Sequence, residues 1–289
     1  MKFTKMHGLG NDYVYVNLFE EKLAGVDLPE LARRVSDRNF GIGGDGLILI
    51  MPSEHADFRM RVFNNDGSEA KNCGNGLRCV SKYVYDHGLT AKTSFTVETL
   101  GGIVQPQVEV GPEGKVSRVT IDMGEPRLQR ESIPMTGEAK STFVAQPITV
   151  KDRTYTMTAV SMGNPHAVLF VDQVNEQEVS EYGPLIEWHE WFPERANAEF
   201  IQVLNRYEIL FRVWERGTGV TLACGTGACA AAVAAILSGE TERIVTVHLK
   251  GGDLVIEWRE NDNRVYMTGP ATEVFQGVYM EELPAAKTP

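Results

Sequence analysis

Along this chain, runs in which every second residue is apolar alternate with fewer stretches of helical period. Phe58-Arg59-Met60-Arg61-Val62-Phe63 puts Phe58, Met60 and Val62 on one side and arginines on the other, the signature of a half-buried strand. The pattern predicts strands near 2–7, 13–18, 47–51 and 57–63, with a helix near 29–36. A helix from Cys73 to His87 should follow and stop at Gly88, then strands near 94–99, 102–110 and 116–122. The rest of the chain predicts strands near 143–150, 154–161 and 166–172, and a helix near 176–189. Strands near 198–204 and 207–215 come next, then a helix ending at Ser238 before Gly239, and strands near 244–249, 253–259 and 264–268.

Leu77, Val80, Tyr83 and Val84 give the Cys73 helix one apolar face, whereas Ala228 to Leu237 is apolar nearly all round. A helix of the second kind is normally buried, here most simply inside a curled sheet. The expected fold class is α+β: two pseudo-symmetric domains, each a mixed or antiparallel sheet curled around a central helix, with the active site in the cleft between them. The domains are expected at 1–122 and 123–269, joined near Gly124-Glu125-Pro126, with 270–289 a tail able to return to the first.

The two halves repeat in register. Nine residues before Cys73 stands Asn64, and nine before Cys224 stands Glu215; twenty-seven before them stand Gly46 and Asn197. About sixty before each lies a Gly-Asn step, Gly10-Asn11 and Gly163-Asn164. Four landmarks at near-constant spacing point to a duplicated domain.

Composition narrows the class. With 289 residues and 43% hydrophobic residues the chain can bury a substantial core. A net charge of −11 argues against a nucleic-acid partner, because phosphate binding needs a basic face. The first residues hold no apolar segment of the signal-peptide kind, and no apolar run approaches the ~18 residues of a membrane helix. The expectation is a cytoplasmic protein with reduced thiols and no membrane partner.

The chemistry gathers at Asn72-Cys73-Gly74-Asn75-Gly76 and Ala223-Cys224-Gly225-Thr226-Gly227. Each puts a cysteine and Gly-x-Gly at a predicted helix start, where unpaired N–H groups and the helix dipole favour an anion. A thiol there should have its pKa lowered, and Gly74-Asn75 and Gly225-Thr226 can donate backbone N–H bonds to a carboxylate. Cys79 and Cys229 lie further along and read as small buried hydrophobes. None of the cysteines is spaced as C-x-x-C, so no metal site is expected. Lysines other than Lys71 stand away from the cysteine motifs, which disfavours a pyridoxal phosphate Schiff base. The expected chemistry is therefore free of cofactors: one thiolate takes an α-proton while a thiol on the opposite face delivers another.

Arg216 could clamp a second carboxylate, while Asn11, Asn64, Asn164 and Asn197 can both donate and accept. His166 either tunes a cysteine's protonation or caps a strand, and Glu215 either plays the matching role or holds an amino group. Gly41-Ile42-Gly43-Gly44-Asp45-Gly46 spells a dinucleotide fingerprint, but a helix precedes it and a strand follows, so it reads as a turn.

These residues closely resemble the diaminopimelate epimerase family, from the first residues to about Gly277. The matching segments are Met6-His7-Gly8-Leu9-Gly10-Asn11-Asp12, Asn64-Asn65-Asp66-Gly67-Ser68-Glu69 and Cys73-Gly74-Asn75-Gly76. They continue with Met162-Gly163-Asn164-Pro165-His166, Pro193-Glu194-Arg195-Ala196-Asn197, Glu215-Arg216-Gly217 and the Cys224 motif. The resemblance implies interconversion of LL- and meso-2,6-diaminoheptanedioate without pyridoxal phosphate or metal, in lysine and cell-wall precursor synthesis. It implies Cys73 and Cys224 as the two bases, backbone at Gly74-Asn75 and Gly225-Thr226 on the reacting carboxylate, and Arg216 on the distal one. Asn11, Asn64, Asn164, Asn197 and Glu215 would complete the substrate site, and the protein would be a homodimer. One departure stands out: Gly46 occupies a place where some family members carry glutamine. The rivals are proline or hydroxyproline epimerisation, which leaves Arg216 unexplained, and a non-catalytic thiol or amino-acid sensor.

Overall fold

The computed structural model describes residues 1–71 and 73–286. In chain order the elements are β1 (Lys2–Gly8), β2 (Asn11–Asn17), α1 (Leu28–Ser36), β3 (Gly46–Met51), β4 (Phe58–Asn64), β5 (Glu69–Ala70), α2 (Gly74–Asp86), β6 (Val97–Thr99), β7 (Gly102–Val104), β8 (Gln107–Val110) and β9 (Val116–Asp122). There follow β10 (Gln146–Val150), β11 (Arg153–Ser161), β12 (Pro165–Phe170), α3 (Glu176–Glu187), β13 (Asn197–Asn205), β14 (Glu208–Glu215), β15 (Gly219–Val220), α4 (Gly225–Leu237), β16 (Ile244–Leu249), β17 (Gly252–Trp258), β18 (Val265–Gly269) and β19 (Thr272–Val278). One compact unit is Met1–Ile121 together with the chain from Gly269 onward; the other is Asp122–Thr268.

Within each unit the order of elements is the same. In the first, β1 and β2 form an antiparallel pair, α1 crosses to a parallel β3, and β4 returns antiparallel. A short β5 then leads into α2, and β6 lies parallel to β4. In the second, β11, β12, α3, β13, β14, β15, α4 and β16 repeat those relations strand for strand. The α+β class and the repeat read from the sequence are thus present in the topology.

In each unit the sheet separates two helices. Leu31, Ala32 and Val35 of α1 pack on Val14, Val16, Leu47 and Leu49, one set of alternate strand positions. The other set, which includes Ile48, faces α2, as the approach of Ile48 to Gly76 shows. In the second unit, Val179, Tyr182 and Ile186 of α3 cover Ala167, Leu169, Ala198 and Phe200. There α4 touches β11, β12, β13, β14, β16 and β17, so the sheet wraps it. Alanine from 230 to 232 and at 234 and 235 lets those strands approach closely, and every one of these residues is buried.

Several readings differ from the structure, and the strand expected near 94–99 forms only over Val97–Thr99. The strand expected over 102–110 divides into β7 and β8, with Pro106 between them, a residue that has no N–H for a ladder. The strand expected from 143 begins only at Gln146, after Ala145 takes a left-handed φ of 48°. The strand β19 was not foreseen: most of its residues are exposed, so it lacks a core-facing alternation. Among the described residues, no helix is long and apolar enough to cross a membrane.

Candidate functional site

Cys73 and Cys224 are the N-cap residues of α2 and α4. Their backbones are extended, with φ/ψ of −148°/105° and −122°/108°. Each sulfur accepts the N–H of the third residue on, Gly76 or Gly227, at 3.3 Å. Serine, threonine and aspartate make the same cap with oxygen, satisfying one of the helix's orphan N–H groups. Here sulfur does so twice, and Gly74-Asn75 and Gly225-Thr226 form the first helical residues beside it. Asn72, part of the first motif, lies outside the described residues.

Around Cys73 the first unit assembles a polar shell. Leu9 and Gly10, both at positive φ, turn the chain between β1 and β2 and set Asn11 at the start of β2. The Cys73 thiol points at Asn11 Oδ1, 3.8 Å away. Asn11 Nδ2 in turn donates to Asp45 Oδ2 at 2.7 Å, which also accepts the N–H of Asp12 at 3.0 Å. Arg38 bridges Asp12 and Asp45, and Lys5 pairs with Asp12 and reaches the carbonyl of Gly43. The glycine-rich turn that imitates a dinucleotide fingerprint therefore delivers Asp45, which orients Asn11. The Tyr13 hydroxyl also faces the Cys73 sulfur. Asn64 donates to Ser68 Oγ at 3.0 Å, and Asn75 Oδ1 accepts from the fully buried Arg78 at 2.9 Å.

Gly46 has no room for any side chain. A Cβ there would lie 2.0 Å from the Phe63 carbonyl oxygen and 2.8 Å from Tyr13 Cε1. In this chain the space beside Gly46 belongs to the Tyr13 ring.

Around Cys224 the surroundings are acidic. Gly163, at φ 100°, turns the chain between β11 and β12 as Gly10 does in the first unit. Asn164 Oδ1 lies 2.9 Å from His166 Nε2, and His166 Nδ1 lies 2.7 Å from Glu199 Oε1. Glu215, at the end of β14, accepts from the Thr221 hydroxyl and faces the Cys224 thiol. Thr226 Oγ1 is 3.7 Å from Cys224 Sγ. Asn197 braces the fold: its amide donates to the Pro165 carbonyl and its oxygen accepts the N–H of Arg216, both at 2.9 Å. The Arg216 guanidinium donates to the Glu194 carbonyl at 2.9 Å.

The thiols do not titrate as their cap positions suggest. Burial pushes the Cys73 thiol up, although the Gly76 N–H, the Tyr13 hydroxyl and the Arg78 guanidinium pull it back. Burial pushes Cys224 well above the usual cysteine range, and the carboxyls of Glu215 and Glu199 push it further. The expected lowering is overturned because loss of water outweighs the capping bond and the other donors around each sulfur. Glu215 and Glu199 are themselves raised by burial. Cys79 and Cys229 are fully buried inside their helices, with Cys79 pushed up to about 11 by burial.

Tyr13, Asp45, Thr221 and Glu199 are among the members of these shells that the sequence reading missed. Of the four, Glu199 left a signal, an acid within the buried run Ala198-Glu199-Phe200-Ile201. Among the described residues, no group of three or more histidine, cysteine or acidic side chains is placed to hold a metal.

Comparison with known proteins follows the same lines. The family model described as diaminopimelate epimerase matches residues 3–129 and 158–274. A curated diaminopimelate epimerase of Bacillus cereus (strain ATCC 10987 / NRS 248) is 58% identical over 285 residues, covering 98% of each chain. Among solved structures, a PhzF-family phenazine biosynthesis protein of Bacillus anthracis aligns with a TM-score of 0.70 at 18% identity, covering 96% of this chain and 98% of its own. A hydroxyproline epimerase of Agrobacterium vitis with bound trans-4-OH-L-proline aligns at 0.68 and 15%, covering 96% and 91%. At such identities these two likenesses concern the fold alone.

Proposed function

The chain belongs to the diaminopimelate epimerase family, and on that premise we propose that it interconverts LL- and meso-2,6-diaminoheptanedioate with two cysteine bases. The observation that carries the reading is the pair of sulfur N-caps, each at the same 3.3 Å from the third backbone N–H. In the reaction, one sulfur as thiolate removes the α-proton, forming S–H as the C–H bond breaks. The electron pair spreads into the attached carboxylate, held by backbone N–H groups at Gly74-Asn75 and Gly225-Thr226. The other sulfur, as thiol, gives its proton to the opposite face of the carbon, leaving the configuration inverted and the pair of protonation states exchanged.

Arg216 binds the distal carboxylate in this scheme, and Asn11, Asn64, Asn164, Asn197 and Glu215 hold the remaining polar groups. His166 and Glu215 adjust the protonation of the site. The pathway is lysine and peptidoglycan precursor synthesis, carried out in the cytoplasm, where thiols remain reduced. The active form is a homodimer. Supporting this, β19 stands at the end of its sheet, with β1 alone beside it among the described residues, and exposes Val274, Phe275 and Val278. An apolar edge strand of this kind invites pairing with another chain.

The decisive measurement is proton NMR of the LL isomer in D2O with reduced protein. Loss of the α-proton signal with growth of the meso isomer is expected. Exchange with proline and none with diaminopimelate would keep the two-thiol engine and discard the substrate. Exchange with neither would discard the catalytic reading.

A further inference from the structure

His166 and Glu199 stand on the neighbouring parallel strands β12 and β13, on the side of the sheet that faces α4. Both side chains are completely buried. Burying a carboxylate and an imidazole together is costly unless each satisfies the other. Here Glu199 Oε1 meets His166 Nδ1 at 2.7 Å, while Glu199 Oε2 has no hydrogen-bond partner among the described residues. The other ring nitrogen, Nε2, faces Asn164 Oδ1 at 2.9 Å. A Cβ on Gly227 would lie 2.9 Å from Glu199 Oε1 and 3.1 Å from Cys224 Sγ, so the carboxylate lies directly beneath the Cys224 turn.

The string Glu199–His166–Asn164 has a proton-counting consequence. Both ring nitrogens face oxygen, and oxygen of a carboxylate or amide accepts. That arrangement is complete when both nitrogens carry hydrogen, as in an imidazolium beside the Glu199 carboxylate, or when Glu199 keeps the proton facing Nδ1 and the ring hydrogen sits on Nε2. Were His166 neutral with its hydrogen on Nδ1, Nε2 would need a donor, and the Asn164 amide would have to turn over. Hydrogen on Nε2 therefore decides which end of Asn164 is left for a ligand: its N–H donors when Nε2 is protonated, its carbonyl when only Nδ1 is.

We propose that Glu199 is a positioning residue of the second half-site: its buried carboxylate holds His166 as an imidazolium, which fixes Asn164 with its amide N–H groups toward the substrate. A donor presented there suits a substrate carboxylate and repels an ammonium. The other titratable groups around the pair are Glu215 from β14 and Cys224 at the head of α4. This inference rests on the proposed function for Asn164, but the state of His166 does not.

The test uses the full chain labelled with 15N-histidine, with the His166 resonances assigned by His166→Gln. Two protonated ring nitrogens at pH 7 in the unaltered protein, and one in Glu199→Gln, are the expected result. A neutral His166 ring in the unaltered protein overturns the proposal without any variant having to fold. In turnover, Glu199→Gln should raise KM for the LL isomer by about tenfold, the scale of one hydrogen bond to a charged group, with a smaller change in kcat. In an Asn164→Ala background the same substitution should leave KM unchanged; an equal rise there would show that Glu199 does not act through Asn164. If diaminopimelate is not turned over at all, the functional reading falls while the imidazolium measurement still decides the state of the pair.

Discussion

The two cysteine turns share a backbone and differ in everything around it. Cys73 is partly exposed and ringed by neutral donors and a guanidinium: the Tyr13 hydroxyl, the Gly76 N–H and Arg78. Cys224 is buried and looks onto two carboxyls, Glu215 and Glu199. Duplication has kept the cap and the glycines, which fix where a sulfur stands. The neighbours, which fix how readily that sulfur ionises, have diverged. Both thiols are raised, and the surroundings of Cys224 oppose ionisation more than those of Cys73.

Removing either sulfur is the harshest way to probe that division. Cys73→Ala and Cys224→Ala should each lower epimerisation by about 10³-fold or more, in the range of a lost general acid or base. Each variant should also differ in which isomer still exchanges its α-proton with D2O. Identical exchange patterns in the two variants would mean that the halves are interchangeable. Activity within tenfold of normal in either would remove that sulfur from the chemistry.

Next in size is a difference with no counterpart in the first half, where Asn65 stands in register with Arg216. Arg216→Lys replaces a planar fork by a point charge. A loss of about 10- to 100-fold in kcat/KM is expected, the worth of a charged hydrogen bond. Near-normal kcat/KM would leave the distal carboxylate without its clamp.

The contrast between the thiols can also be read directly. With iodoacetamide at neutral pH, peptide mapping should find Cys73 alkylated about tenfold faster than Cys224, with Cys79 untouched. Because both thiols are raised, their rates should keep climbing above pH 8, and kcat/KM, which reports the free enzyme, should climb with them if they are the bases. A plateau for Cys224 below pH 8 would mean that it is the readier thiolate and would reverse the assignment.

What the sequence disclosed follows from the range of the forces involved. A cysteine before Gly-x-Gly at the head of an apolar-periodic run is local, and both caps were legible; so were the order of most elements and the burial of the alanine-rich helix. Tyr13 and Asp45 reach the first site from other strands and turns, through contacts that no spacing rule encodes. The direction of the thiol shifts was misread for a similar reason. The capping bond is written in the sequence, whereas the depth at which the sheet holds it, and the acids opposite, are tertiary facts. β19 escaped because its exposed residues carry no core-facing period.

The finest difference between the halves lies at the glycines that donate to each sulfur. In an open helix, alanine is favoured over glycine by about 1 kcal/mol, so each site sets that gain against its neighbours. A Cβ at Gly76 would meet Ile48 Cδ1 at 2.6 Å, the far end of one side chain, with Cys73 Sγ at 3.4 Å. A Cβ at Gly227 would meet three atoms at once: Glu199 Oε1, Cys224 Sγ and Phe211 Cζ, at 2.9, 3.1 and 3.2 Å. The first obstacle can yield by a rotation of Ile48. The second includes a carboxyl anchored by His166, so relief there requires loosening a buried hydrogen-bonded pair. Gly227→Ala should therefore destabilise by about 1–3 kcal/mol, as overpacking does, and Gly76→Ala by less. Urea denaturation of both variants measures the gap. A larger loss at Gly76 would show that the Glu199–His166 pair yields more easily than an isoleucine, and that the surroundings of Cys224 are no more rigid than those of Cys73.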